Sequence, residues 1–289
     1  MEGLKKLFLP ITATIQYIQN HFKAMIFLLI VFLIFAPTSE DQLTPANLQK
    51  ITLNGPIFEV SDVLEQIEEA QKNSAIKGVL FDINSPGGAI APSIELAYAI
   101  KRLREHKPVV AYSSGIMASG SYYAAIWADE IITNPGTMVG SIGVIIQGAD
   151  LSEIMDKIGI KSQVVKAGKY KQVGTADRPW EDYEINELNK VIQANYEMFY
   201  SDVAKARGLD IKHKDSFANA HIFTAAQAKE VGLVDRIGVR YDAKKALVSL
   251  SGVSEANWKK EDQIDKFMKK FAAQGASLVH IYFPSLSLR

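Results

Sequence analysis

Short apolar runs separated by helical periodicity constrain this chain more than any other feature. IKGVLFDI (76–83), PVVAY (108–112) and EIIT (130–133) have the length and β-branched content of buried strands. Between them lie segments of another kind. After Gly87-Gly88, residues Ile94, Leu96, Ala97, Ile100 and Leu103 recur at helical spacing, and 118–128 reads as a second helix. Ahead of them, 51–60 reads as a strand. Ser61 then caps a helix to about residue 73 whose apolar face is Val63, Leu64, Ile67 and Ala70. This β-α-β-α order predicts an α/β fold with a largely parallel sheet and helices on both faces.

Downstream the signals are more mixed. Residues 140–146 are again apolar and β-branched, 151–158 predicts a helix and 162–166 a strand. A polar loop fills 167–178. A long helix over 181–207 carries Ile185, Leu188, Ile192, Phe199 and Val203 along one side. Thr224 caps another helix, closed by Gly232. In the tail, Ile264, Phe267, Met268 and Phe271 form a stripe among lysines. That pattern suits a helix docked on its own domain or on a neighbouring subunit, or one lying on a membrane surface.

The N-terminus has a different character. Residues 24–36 (AMIFLLIVFLIFA) are 13 uncharged apolar residues. As a helix they reach ~20 Å, short of the ~30 Å hydrocarbon core; counting 22–38, with Lys23 snorkelling, gives a marginal span. Lys5, Lys6 and Lys23 precede the stretch and Glu40 and Asp41 follow it, which orients the N-terminus to the cytoplasm and the rest outside. The competing reading is a cleaved signal peptide, but the leading segment is long and no A-x-A pattern appears. The expected organisation is a cytoplasmic segment 1–23, an anchor 24–38, a linker 39–49, a main α/β domain 50–252, and a C-terminal amphipathic helix and tail 253–289.

Composition excludes some chemistry. There is no cysteine, so disulfides, thiol catalysis and Cys-ligated zinc are ruled out. Lys+Arg and Asp+Glu each total 32, which gives no electrostatic reason to expect a nucleic-acid partner. No cofactor or metal is expected. The remaining candidates are hydroxyls and amines. Ser119 lies in MASGSYY (117–123), where a helix start would leave the Gly120 amide free. Asn84-Ser85-Pro86-Gly87-Gly88 ends an apolar run, and either glycine can bring its backbone close to a substrate carbonyl. Lys171 lies in AGKYK (167–171), with Lys169 a rival two residues away. A serine nucleophile needs a base, and the histidines (21, 106, 213, 221, 280) are badly placed: the next after Ser119 is His213, 94 residues on. Ser113, Ser114 and Ser121 are neighbouring hydroxyls with no assigned role.

In order, NSPGG, MASGSYY, TNPGT…GSIGV (133–144), GKYK and HIFTAAQAKEVGLVD (221–235) form a specific set. Over about residues 50–245 the chain resembles the short, single-domain form of the bacterial signal peptide peptidase A (protease IV) family. The resemblance implies a ClpP/crotonase-type fold and a membrane-anchored serine endopeptidase that degrades residual signal peptides. By position it implies Ser119 as nucleophile, Lys171 as general base, Ser141 as the residue orienting the lysine, and Gly87 and Gly120 as oxyanion-hole amides. It also implies a homo-oligomeric ring, an octamer being one count it allows, in which Ser and Lys can come from neighbouring subunits. The expected location is the bacterial inner membrane with the catalytic domain on its outer side, and the expected partners are signal peptides or other apolar peptides. The chain departs from the family pattern near Ala220-His221, where glycine and arginine are usual, and at Ala225, where glycine is usual. Three other readings are a Ser-His-Asp peptidase, which lacks its histidine, a crotonase-type acyl-CoA enzyme, which leaves Ser119 and Lys171 unexplained, and a non-catalytic peptide-binding scaffold.

Overall fold

Pairing of the central apolar runs builds the sheet. In the computed structural model, which describes residues 17–30 and 45–260, the chain divides into two units, one of which is Ala46–Lys259. Within it, β1 (Leu48–Asn54), β2 (Gly78–Ser85), β3 (Val109–Ala118), β4 (Glu130–Thr133) and β7 (Arg236–Ile237) lie side by side in that order, all parallel. β5 (Met138–Gly140) pairs in parallel with the end of β3, and β6 (Ile222–Thr224) adds to β5 antiparallel. Seven of the eight residues of β2 are buried, as expected for a parallel strand covered on both faces.

The period-two alternation of strand side chains decides which helix covers which face. Val79, Phe81 and Ile83 of β2, with Val109 and Ala111 of β3, point into the main core. That core is closed by α2 (Ser61–Lys72), α3 (Ile90–Arg104), α4 (Gly120–Ala125) and the C-terminal half of α6 (Asp182–Arg207). Leu80, Val110, Tyr112 and Ile132 point the other way and meet Ala243, Ala246 and Leu247 of α9 (Arg240–Ser251). Among the described residues two short helices remain, α5 (Ser152–Lys157) and α8 (Ala225–Glu230), with a 3₁₀ turn (Ile211–His213) and a single α-turn, α7 (Lys214–Phe217), between α6 and β6. The expected parallel α/β architecture with helices on both faces is what the chain adopts.

Several boundaries differ from the sequence reading. β1 starts at Leu48, within the segment read as linker, because Asn47 and Leu48 hydrogen-bond back to the Asn257 carbonyl. It stops at Asn54, before Gly55 at φ 77°. Ser61 is the first helical residue, not the cap of α2. The Glu59 carboxylate takes that role, accepting from the Val60 and Ser61 amides and the Ser61 hydroxyl. β3 runs to Ala118, so α4 begins at Gly120 and ends by Ala125. Residues 162–166 form no strand: no neighbour offers a ladder, and Val165 is fully exposed. β-propensity without a partner does not make a strand. Thr224 does cap α8, in a box with Gln227, and Glu181 caps α6 in a box with Glu184.

Residues 17–30 form a helix, α1, in the other unit. Among the described residues no helix is long and apolar enough to cross a membrane. Of the expected anchor, residues 31–38 lie outside the described residues, as do 1–16 and the amphipathic stripe of 261–273.

Four non-glycine residues have positive φ among the described residues: Ser119, Ser141, Asn219 and Ala220. Asn219 tolerates this region, but alanine does not. Ala220 (φ 57°) is held there by the hydrogen bond its amide donates to the Ile142 carbonyl, and its side chain is exposed. Ala220→Gly should therefore stabilise the protein by about 1 kcal/mol, the left-handed penalty less the added unfolded-state entropy. Denaturant titration should show a raised midpoint at unchanged slope.

Candidate active site

The site forms where β2 and β3 end. The register slips between Ile83 and Ser85 of β2, opposite Ser113 and Met117 of β3. Asn84 occupies this irregularity, its Oδ1 accepting from the Ile116 amide at 3.2 Å. Met117 and Ala118 are thereby brought beside Ser85. The buried hydroxyl of Ser121 then locks three segments. It donates toward the Ser85 carbonyl (2.6 Å), lies 2.9 Å from the Ala118 carbonyl, and accepts from the Ala118 amide (2.9 Å). The sequence marked Ser121 as a bystander; its burial and long-range bond to Ser85 were invisible in the chain.

Ser119 stands at the sharp turn between β3 and α4 with φ 53° and ψ −127°. A side chain there costs roughly 1–3 kcal/mol of strain and persists only when its surroundings over-determine it. They do: the Ser119 amide donates to the Gly140 carbonyl of β5 (2.8 Å), and its carbonyl accepts from the Tyr123 amide (3.0 Å). This strand–turn–helix geometry projects a serine hydroxyl from the end of a parallel sheet. The hydroxyl makes no hydrogen bond to any described residue. It lines a cavity of about 90 Å³ together with Gly88, Gly120, Ile90, Val144, Ile145, Asn195, Met198 and Phe199.

Two glycines let the backbone close around Ser119. Gly87 has φ 92°, and a Cβ there would stand 2.7 Å from the Gly120 amide nitrogen and 2.8 Å from Ser119 Cβ. A Cβ on Gly120 would stand 2.1 Å from Ser93 Oγ. The Gly87 amide is turned toward Ser85 Oγ at 3.2 Å. The amides of Gly120, first in its helix, and of Gly88 beside it have no hydrogen-bond partner among the described residues.

Ser141 follows the Gly140 that holds Ser119. It too has positive φ (51°), and its amide donates to the His221 carbonyl at 2.7 Å. Ser119, Gly120, Gly87 and Ser141 are thus drawn together by backbone contacts. Lys171 is not. It sits exposed in the loop before α6, and its amine hydrogen-bonds neither serine. Lys169 is occupied otherwise: its amine lies 4.4 Å from the centroid of the Tyr183 ring and 5.7 Å from that of Tyr170. Nearby, Arg178 grips the enclosed Glu184 carboxylate with bonds of 2.7 and 2.8 Å. The guanidinium and the Glu181 amide hold that carboxyl down to about 2.

Comparison with known proteins bears on this geometry. The model of peptidase family S49 matches residues 101–254. The chain belongs to peptidase family S49. A Methanocaldococcus jannaschii protein provisionally named a protease is 39% identical over 65% of this chain. An Enterococcus faecium protein provisionally named signal peptide peptidase SppA is 30% identical over 76% of this chain and 68% of its own length. The chain spans 60% of the length of the Methanocaldococcus relative. Among solved structures, a mutant form of ClpP1 from Listeria monocytogenes overlaps 67% of this chain and 93% of its own at 18% identity, with a TM-score of 0.47. This S49 member is a signal-peptide-peptidase-A-like peptidase.

Because a methyl group on Gly87 would strike the Ser119–Gly120 backbone, Gly87→Ala should reduce peptide hydrolysis by roughly 10²-fold or more, the scale of losing an oxyanion donor. Turnover of a fluorogenic peptide beside a far-UV spectrum separates this from unfolding.

Proposed function

We propose that the chain is a membrane-anchored serine endopeptidase acting through Ser119 and Lys171 on residual signal peptides and other apolar peptides. The observation that carries this reading is Ser119 itself: a strained serine, its hydroxyl unpartnered, on the wall of a cavity with apolar sides and two free amides beside it. In this reading the neutral Lys171 amine takes the Ser119 proton as the oxygen attacks the scissile carbonyl. The amides of Gly120 and of the Gly87-Gly88 turn receive the oxyanion, Gly88 having the free N–H and Gly87 the conformation that admits it. The protonated amine then passes its proton to the leaving amine, and water releases the acyl group. Ser141 holds the lysine in line.

Lys171 makes no bond to Ser119 within the chain, which supports a homo-oligomer whose neighbouring copies complete each other's sites. An apolar stretch left bare on the protomer also supports it: Ile145, Ile154, Ile158 and Val165 are each more than half exposed. The apolar N-terminal stretch and the lysines before it support an inner-membrane anchor with the catalytic domain on the outer face.

Turnover of an apolar fluorogenic peptide tests the assignment. Ser119→Ala and Lys171→Ala should be inactive yet folded. Lys171→Arg should not rescue, because guanidinium stays protonated. Lys169→Ala should keep substantial activity and Ser141→Ala an impaired one. Wild-type kcat/KM should rise with pH, since the neutral amine is the working form. An active Ser119→Ala would remove the nucleophile from this reading, and an active Lys171→Arg would remove the base.

A further inference from the structure

The loop that carries Lys171 has little internal structure to hold it. The backbone bonds within it are three successive turns, Lys171 to Gly168 (3.2 Å), Val173 to Tyr170 (3.2 Å) and Thr175 to Gln172 (3.3 Å), all at or beyond the long end of the normal range, and the one shorter bond, from the Leu151 amide to the Ala176 carbonyl (2.8 Å), ties only its far end. A lysine that must meet a serine hydroxyl needs better placement than that: a displacement of ~1 Å costs about 10²-fold in rate.

The hold comes from the start of α6. Lys169 Nζ sits over the Tyr183 ring, and the Tyr170 ring meets the same ring edge-on with centroids 5.6 Å apart. Both Lys169 and Tyr170, the residues preceding Lys171, are therefore packed on one side chain. Behind the loop, Trp180 Nε1 donates to the Thr175 carbonyl at 2.8 Å. Tyr183 is in turn seated by its neighbour Glu184, whose side chain has no exposure and accepts the Arg178 fork and the Glu181 amide. An enclosed carboxylate is tolerable only when paired in this way. The pairing joins the chain leaving the loop to the first turn of the helix. It is more than capping requires, since the Glu181–Glu184 box already supplies the cap.

We infer that Tyr183, backed by the Arg178–Glu184 pair, is a positioning residue for Lys171. The inference rests on the reading of Lys171 as the base, and it holds whichever copy of the chain supplies Ser119. Tyr183 touches neither substrate nor the reacting atoms. It acts by fixing Lys169 and Tyr170, and through them the direction from which Lys171 leaves the loop.

The test measures kcat and KM across pH for full-length Tyr183→Ala, Tyr183→Phe and Arg178→Lys, beside Lys171→Ala, with thermal melting of each. Tyr183→Ala should lower kcat by roughly ten-fold or more, with KM changed less than about two-fold. It should also shift the pH at which activity rises, since Lys171 no longer meets Ser119 and Ser141 in the wild-type geometry. Tyr183→Phe keeps the ring contacts and should retain most of the wild-type kcat. Arg178→Lys cannot form the two-pronged contact and should fall between. Wild-type kcat and pH profile in Tyr183→Ala, beside an inactive Lys171→Ala, would overturn the positioning role and leave the base standing. A lowered kcat with an unchanged pH profile would overturn it equally, as the mark of a merely structural residue. Wild-type turnover by Lys171→Ala would remove the base, and this inference with it. Should Arg178→Lys fail to fold, Tyr183→Ala, at a partly exposed position, still decides.

Discussion

One buried hydroxyl holds the end of the sheet together. Ser121 bridges the last residue of β2 and the last residue of β3 from the first turn of α4, so two strand ends and a helix start share one hydrogen-bonded centre. A buried polar group left without partners costs about 1–3 kcal/mol, and here every bond is made to backbone that the register slip has brought within reach. The close passage of Gly87 against Ser119 and Gly120 depends on that junction, because the clearances leave no room for a β-carbon. The chemistry of the site follows from how tightly the backbone is drawn in at this point.

The strain stored at the site has a matching structure. Ser119 and Ser141 both lie in the left-handed region and are coupled through Gly140, whose carbonyl receives the Ser119 amide. The next two strained residues, Asn219 and Ala220, pack against the same segment through the Ser141–His221 and Ala220–Ile142 bonds. All four described positive-φ residues that are not glycine therefore belong to a single backbone network. Such strain survives because β3, β5 and β6 form a ladder that cannot relax without losing its hydrogen bonds. The family comparison and the local geometry meet here, since the S49 match includes both serines.

The segment from Val144 to Asp177 obeys a different logic. Almost nothing in it is buried, and α5 contributes no core residue. The N-terminal part of α6 extends past the core as well, with Ile185 and Val191 exposed. What order this region has comes from a few specific contacts, among them the Arg178–Glu184 pair, the tyrosine rings, the Trp180 hydrogen bond, the Leu151–Ala176 backbone bond and the Asp177 carboxylate that accepts from Gln172 and Thr175. Its apolar residues Ile145, Ile154, Ile158 and Val165 are each more than half exposed.

The amino-acid sequence determined the elements whose signal is local. The parallel sheet was legible because β2, β3 and β4 are apolar on both faces, and the helices because their apolar positions recur at helical spacing. Both capping boxes sit on residue pairs three apart, though Ser61 misled because Glu59, two residues earlier, reached the amides first. Ser119, Gly87 and Gly120 could be singled out only through the ordered set of motifs and the family the chain resembles, since small residues at a strand end also serve plain close packing. Tertiary structure decided what depends on contacts across long sequence distances. It determined that 162–166 has no strand partner, that Ser121 bonds to Ser85, that the Gly87 amide is turned away while the Gly88 amide is free, and that Lys169 rather than Lys171 is taken up by aromatic rings. A chain carries its periodicities in every local window, but the direction of a single N–H, or the neighbour of a single amine, exists only once distant segments have closed on one another.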